Sequence, residues 1–213
     1  MRILSVFLFL FFVTPIWGQS IGVKIGATTV TPTGNNDQFD FDFGESFSPG
    51  YQVSFLGNYD LSDIIILKPT ITYRQYTIKQ DIFLYTNNYT VEQTHNTLGL
   101  DLNFDIELRS NLSFIFGMGI DYITAIKTLT QINSLEETSN LDLGEMTIDQ
   151  LIDPYSNVGL CFKFSSTFFV DLEYRHLLDN WGTGGVVPGS QFISSNNGSV
   201  KLHMINLSLG LLF

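Results

Sequence analysis

The chain has 213 residues, of which 44% are hydrophobic and 14% aromatic, and its formal net charge at pH 7 is −11. A single cysteine, Cys161, cannot form an internal disulfide, so a small disulfide-stapled scaffold is excluded. The acidic balance argues against nucleic acid as a partner, because such partners select basic surfaces.

Residues 1–18 have the pattern of a secretory signal peptide. Arg2 gives a short positive start, an apolar run extends from Ile3 to Val13, and the small residue Gly18 precedes Gln19. The alternative is a transmembrane helix, but the run is shorter than the roughly 20 residues that a helix needs to cross a bilayer. The sequence therefore predicts an exported protein whose mature domain comprises residues 19–213.

Apolar residues recur at every second position in eight segments of the mature domain. A period of two is typical of β-strands with one apolar face. In the fourth segment, leucine, phenylalanine and isoleucine alternate with glycine and acidic or amide residues from Leu98 to Leu108. The predicted strands are Ser20–Val30, Tyr51–Tyr59, Ile65–Tyr76, Leu98–Leu108, Leu112–Thr124, Asn157–Phe164, Phe168–His176 and the closing HMINLSLGLLF, which ends at Phe213.

Two folds fit such strands: a soluble sandwich with its apolar faces inside, and a membrane barrel with its apolar faces in lipid. The segments have the length that a tilted strand needs to cross a bilayer, whereas strands of soluble domains are shorter. Tight links also alternate with long polar links, as in outer-membrane barrels. The tight links are Asp60–Asp63, Arg109–Asn111 and Ser165–Ser166.

Aromatic residues favour the barrel as well, because they fall at two heights along the predicted strands. Barrels carry aromatic girdles at both membrane interfaces, and a sandwich has no reason to carry them. The outer girdle would contain Tyr51, Tyr73, Tyr122 and Tyr174, and the inner girdle Tyr59, Phe114, Phe164, Phe168 and Phe213.

The predicted fold is therefore all-β: an eight-stranded antiparallel up-and-down transmembrane β-barrel of the outer membrane. Its turns would be short on the periplasmic side, and its loops long on the extracellular side. An open sheet edge in lipid would leave backbone groups without partners, so we expect the last strand to pair with the first.

The long external links carry the acidic excess, and two of them contain structural signals. The stretch IFLYTNNYTVEQ predicts a hairpin that projects beyond the membrane. Thr147 followed by Gln150 fits a capping box that would open a helical turn over Ile148–Ile152. Acidic loops are compatible with divalent cations that bridge to lipopolysaccharide, or with a basic protein partner.

The polar face of the strands would line a lumen that is only wide enough for its own side chains or one small ligand. Buried charges need partners, so we predict a salt-bridged plug in which Arg74 faces the acids of the neighbouring strand Leu98–Leu108. Such a network would either stabilise the interior or form a gated pore or binding site. Its predicted members are Lys24, Lys68, Arg74, Asp101, Asp105, Glu107, Asp121, Lys163, Asp171, Glu173 and Arg175.

The histidines offer one candidate catalytic constellation. His176 and His203 face outward near the outer rim of adjacent predicted strands, and Ser199 or Asp179 could lie nearby. Histidines at the headgroup level are more often interface residues, and the sequence contains no metal-ligand spacing. We therefore predict a protein that is not an enzyme and that has neither a cofactor nor a metal centre.

Four stretches, LKPTITYRQY, FIFGMGIDY, FVDLEYRHLLD and LSLGLLF, carry a family resemblance. With the signal peptide and the eight strands, they resemble the PorT-like or outer-membrane-β-barrel-domain proteins of Bacteroidota. The resemblance implies that the barrel-assembly machinery reads the C-terminal aromatic strand, with Phe213 as the signal. These motifs mark architecture and say little about the task of the protein.

The leading functional prediction is a non-enzymatic barrel, nominally of the porin family, whose lumen is plugged by side chains. It would act in the lipid bilayer as a scaffold that displays acidic extracellular loops. The alternatives are an accessory subunit of a secretion or gliding apparatus, with an envelope protein as partner, and a narrow small-solute pore.

Overall fold

The structure, a computed structural model, describes residues 20–33, 41–42, 48–84, 87–132, 135–140, 152–178 and 201–213. These residues form the strands β1 (Ser20–Thr33), β2 (Phe41–Asp42), β3 (Ser48–Asp60), β4 (Ile65–Leu84), β5 (Asn87–Arg109), β6 (Leu112–Ile132), β7 (Leu135–Asn140), β8 (Ile152–Lys163), β9 (Phe168–Leu177) and β10 (Lys201–Leu212). Within these ranges, no helix is long and apolar enough to cross a membrane. The predicted signal peptide and the capping box at Thr147 lie outside the described residues.

Eight of these strands close into a barrel. Their order around the barrel is β1, β3, β4, β5, β6, β8, β9 and β10, and each pair of neighbours is antiparallel. The seam joins β10 to β1, with pairs from Gly22 and Leu212 to Thr33 and Lys201. The predicted fold, with its closure of the last strand on the first, is confirmed.

Short links connect the strands at one end of the barrel, as the sequence predicts. They comprise residues 61–64, 110–111 and 164–167. Backbone hydrogen bonds tighten the first and last of them: the Leu61 N–H donates to the Ile65 oxygen at 2.9 Å, and the Phe164 N–H donates to the Phe168 oxygen at 2.9 Å.

At the other end, β4, β5 and β6 extend to 20, 23 and 21 residues. The predicted projecting hairpin is present, since β4 and β5 pair as far as Leu84 and Asn87. The extension of β6 to Ile132 was not predicted. A bulge at Thr124, whose hydroxyl donates to the Asn96 backbone carbonyl oxygen at 3.0 Å, interrupts the alternation of inward and outward side chains.

The barrel has an apolar exterior and a polar interior. Outward side chains such as Ile25, Phe55 and Leu207 are 54–61% exposed, whereas the inward Arg74 and Arg175 are 0% exposed. A soluble protein would bury the first group and solvate the second, because burying a charge is costly and burying an apolar side chain is favourable. The exterior is therefore the lipid-facing surface.

Tyr51, Tyr73, Tyr122 and Tyr174 all lie on this exterior, and we call them the tyrosine ring. The Tyr51 and Tyr73 rings on neighbouring strands lie 6.3 Å apart. At the opposite end, the Phe164 and Phe168 rings lie 5.7 Å apart. The two aromatic levels bound the apolar band, as in a barrel that crosses a bilayer.

Candidate functional site in the barrel interior

Two apolar clusters fill the ends of the barrel interior. The inner cluster, near the short turns, contains Leu56, Ile115, Cys161 and Phe169, with Leu212 packed against it. The outer cluster, toward the long connections, contains Val30, Tyr76, Ile78, Tyr155, Leu177, Leu202 and Met204. Neither cluster was predicted from the sequence, although a signal was present: Phe169 is an apolar residue on a predicted polar face.

Between the clusters lies a charged layer of nine buried side chains. Each of these side chains is at most 5% exposed. The layer contains four cations and five carboxylates among the described residues. All were predicted to face the lumen, and they are Lys24, Lys68, Arg74, Arg175, Asp101, Asp105, Asp121, Asp171 and Glu173. The other two predicted members, Lys163 and Glu107, form an ion pair near the turns, with side chains 21% and 29% exposed.

Glu173 on β9 lies at the centre of the charged layer. Lys24 Nζ is 2.5 Å from Glu173 Oε1 and 3.4 Å from Asp171 Oδ2. Arg175 donates from Nη2 to Glu173 Oε2 at 3.3 Å, and from Nη1 and Nη2 to the two Asp101 oxygens, also at 3.3 Å. This two-bond guanidinium–carboxylate pairing is charge-assisted and fixes the orientation of both side chains.

The predicted partners of Arg74, the acids of the neighbouring strand, were wrong. Arg74 donates from Nη1 to Asp121 on β6, and from Nε to Gln52 Oε1 at 3.2 Å, rather than bonding the acids of the adjacent β5. The reason lies in Gly99 of β5, where a Cβ atom would stand 2.4 Å from Asp121 Oδ1. Because Gly99 has no side chain, the Asp121 carboxylate occupies that space and meets Arg74.

Aromatic rings join the charged layer to both apolar clusters. Lys68, which is paired with Asp105, has its Nζ 5.1 Å from the centre of the Phe169 ring. The Tyr155 ring lies 4.7 Å from the Arg175 guanidinium carbon and 5.9 Å from that of Arg74. Cation–π contacts of this kind stabilise a desolvated cation without adding a further charge.

Neutral polar side chains complete the packing of the interior. Gln52 donates to Ser208 at 2.8 Å, and Asn157 donates to Asn103 at 3.0 Å and to Glu173 at 3.3 Å. The Phe169 ring lies over Gly210, where a Cβ atom would stand 2.0 Å from the ring. Small and large residues therefore face one another across strands.

His95 lies above the tyrosine ring, on the part of β5 that extends beyond the apolar band. Its side chain is fully buried, and its ring stacks on Tyr76 at 5.2 Å with an interplanar angle of 4°. Burial disfavours the charged imidazolium and lowers the pKa of His95 to about 4. The residue is therefore neutral at physiological pH.

This burial predicts a loss of stability in mild acid. Unfolded His95 gains a proton near its ordinary pKa of 6.5, whereas the folded residue gains one only near 4. Because the unfolded state binds more protons between these values, the free energy of unfolding should fall as the pH drops from 6.5 toward 4, with a slope of about 1 kcal/mol per pH unit. Urea titrations at pH 7, 6 and 5 test this, and His95→Phe should flatten the decline. An unchanged slope in that variant would contradict the assignment.

His176 and His203 do lie side by side, on the outer face of β9 and β10. They are opposite each other in register, and their Nδ1 atoms are 3.3 Å apart. Asp179 and Ser199, the other members of the candidate constellation, lie outside the described residues. In the described part of the chain, no group of three or more His, Cys, Asp or Glu residues could hold a metal ion.

No protein-family model matches the chain, and no curated protein sequence matches it. Solved structures similar to it include Ail, the attachment invasion locus protein of Yersinia pestis (13% identity over 91% of this chain and 98% of that one, TM-score 0.47). Another is neisserial surface protein A (12% identity over 92% of this chain and 99% of that one, TM-score 0.47). A third is OprG from Pseudomonas aeruginosa (11% identity over 91% of this chain and 95% of that one, TM-score 0.47). The chain is itself a closed, antiparallel, eight-stranded transmembrane β-barrel.

Proposed function

We propose that the protein is a non-enzymatic, porin-like barrel of the outer membrane, closed by its own side chains. It acts as a scaffold that displays acidic extracellular loops. One observation carries this proposal: the charged layer lies between two apolar clusters, and its nine charged side chains are buried. Ions in an open aqueous pore would remain solvated.

The exterior of the barrel supports a location in a membrane, which this role requires. Its apolar band and the tyrosine ring fit a lipid bilayer, and the signal-peptide pattern of residues 1–18 supports export. The partners we propose are the bilayer, lipopolysaccharide bridged through divalent cations, and an envelope protein that binds the loops. The acidic composition supports such bridging and disfavours nucleic acid.

Planar-bilayer conductance tests the closed lumen. If the charged layer and the two apolar clusters close the lumen, as proposed, the purified mature barrel should give no steady openings. A double variant, Tyr155→Ala with Phe169→Ala, removes one large ring from each apolar cluster and should produce openings, which also shows that the assay can detect a pore. Large, steady conductance in the unmodified protein, equal to that of the variant, would refute the proposal in favour of a solute pore.

An accessory role in a secretion or gliding apparatus is the second candidate, in line with the PorT-like sequence resemblance. The observation that favours it is the sheet of β4, β5, β6 and β7, which continues beyond the tyrosine ring and offers a platform for a partner. Purification of the tagged protein from native membranes tests this role. A stoichiometric partner that is lost when residues 133–151 are shortened would support it, and recovery of the barrel alone would oppose it.

We also propose that Phe213 is a signal for the barrel-assembly machinery. Phe213 is 72% exposed, while its backbone N–H donates to the Ile21 carbonyl oxygen at 2.8 Å. The backbone thus closes the seam, and the ring is available for recognition. Phe213→Ala should therefore fold normally into detergent in vitro, yet insert less efficiently in cells. Equal insertion in cells would exclude this role.

A further inference from the structure

An open groove crosses the lipid-facing surface at the seam of the barrel, in the part of the apolar band next to the tyrosine ring. Its volume is about 700 Å³, which lies within the roughly 300–1,000 Å³ of pockets that hold small molecules. The residues that line it belong to β1, β3, β9 and β10. The groove is therefore a feature of the barrel wall and not of the long connections.

Ala27 of β1 forms the floor of the groove. It is exposed and lies in register with Tyr51 of β3 and Leu207 of β10, whose larger side chains are exposed as well. Because the alanine side chain ends at Cβ, these two neighbours rise on either side of it as walls. Ile25, two residues along the same outward face, bounds the groove toward the midplane of the bilayer.

The lining of the groove is apolar. Toward the midplane, one row of aliphatic side chains crosses four strands in register, and it consists of Val170, Leu209, Ile25 and Val53. Gln52 also borders the groove, but its side chain is buried, and its amide donates to Ser208 inside the barrel. A ligand in the groove therefore gains apolar and dispersion contacts, and the lining offers it no charge.

We propose that this groove binds one acyl chain of an outer-leaflet lipid, whose headgroup lies beside Tyr51. The groove continues the lipid-facing surface, so hydrocarbon is the medium at its mouth. Against a convex wall an acyl chain touches protein on one side, but in the groove it touches the floor and both walls, which adds dispersion contacts. Tyr51 marks the headgroup level, as aromatic residues at membrane interfaces do. The site rests on the proposed location in the outer membrane and names one place where a lipid is held.

A second copy of the chain fits the groove less well than an acyl chain does. In a two-fold dimer the same patch of both subunits faces itself. The Tyr51 and Leu207 walls of two such patches would meet first, and the two floors at Ala27 would enclose a void. A void forfeits the dispersion contacts that a flexible chain gains there.

Photolabelling of the full mature barrel in vesicles tests the proposal. The probe is a phosphatidylcholine with a diazirine in one acyl chain, because the lining contacts only the chain. Peptide mass spectrometry should find more label on Val53 than on Ile120 or Leu172. These three outward residues lie at matched depth, each two positions from a residue of the tyrosine ring. This comparison within the unmodified protein does not depend on the folding of any variant.

Ala27→Phe fills the floor of the groove and should lower the label on Val53 to the level of Ile120. The matched control is Val158→Phe, because Val158 faces outward in register with Tyr174, as Ala27 does with Tyr51. It should leave the label on Val53 unchanged. Electron paramagnetic resonance of a spin-labelled phosphatidylcholine should likewise count one fewer motionally restricted lipid per barrel in Ala27→Phe, and the same number in Val158→Phe.

Three results would overturn the acyl-chain site. Equal label on Val53, Ile120 and Leu172 would show that lipid contacts the band uniformly, and unchanged label in folded Ala27→Phe would place the bound chain elsewhere. A cross-linked dimer that Ala27→Phe abolishes would assign the groove to a second copy of the chain. Absence of label from every outward residue would instead refute the location of the barrel in a bilayer, on which the site rests.

Discussion

Replacing Arg175 with methionine should lower the free energy of unfolding by about 3–5 kcal/mol, one of the largest losses that a single substitution in this barrel can cause. Arg175 is fully buried and holds both oxygens of Asp101 and one of Glu173. Its removal leaves Asp101 desolvated, and among the described residues the Thr72 hydroxyl is then its one remaining hydrogen-bond donor. Urea titration in phospholipid vesicles, followed by the gel mobility of the folded barrel, measures the loss.

The matched control is Lys163→Met, which removes a cation from a pair of the same kind. Because the Lys163 and Glu107 side chains are partly exposed, that loss should be at most about 1 kcal/mol. Adding Asp101→Leu to Arg175→Met removes the stranded carboxylate and should recover part of the stability. Equal effects of Arg175→Met and Lys163→Met would show that burial does not govern these pairs.

Leu209→Arg should destabilise the barrel by about 2–4 kcal/mol in a bilayer, since a charge on the lipid-facing surface is most costly near the midplane. Leu209 is 49% exposed on the outer face of β10, midway between the level of the tyrosine ring and Phe213. The loss measured in vesicles should shrink in a detergent micelle, where the arginine reaches water more easily.

Thr31→Arg is the control for depth. Thr31 also faces outward, but it lies at the level of His203, above the apolar band, so its substitution should cost no more than about 1 kcal/mol. If Leu209→Arg were as mild as Thr31→Arg, the lipid-facing assignment of the exterior would be wrong.

Much of this fold could be predicted because lipid imposes a simple rule on a strand. Each side chain faces either lipid or the lumen, so a period of two fixes the direction of residues such as Lys24 and Ile25. Turn lengths and aromatic levels then separate a barrel from a sandwich. The rule fails at Thr124, where one bulged residue changes the phase and hides the extension of β6 to Ile132.

Which side chains face the lumen was easier to predict than which of them form ion pairs or pack together. The alternation predicts that Arg74 faces the lumen. Its pairing with Asp121 depends on the space beside Gly99, which the pattern of a single strand does not reveal. The inner cluster was missed for a similar reason, since Phe169 needs Gly210 opposite it. The pairing of His176 with His203 depends on the register of β9 and β10, which share no short-range motif.

Most ion pairs of the charged layer join strands that are not neighbours, and this has a consequence for biogenesis. Lys24 on β1 reaches Glu173 on β9 across β10, and Arg175 on β9 reaches Asp101 on β5. In a partly closed sheet within the bilayer, these charged side chains would be too far apart to pair and would also be out of contact with water. Insertion into the bilayer and closure of the barrel should therefore occur together, with no long-lived open intermediate in the hydrocarbon core of the bilayer.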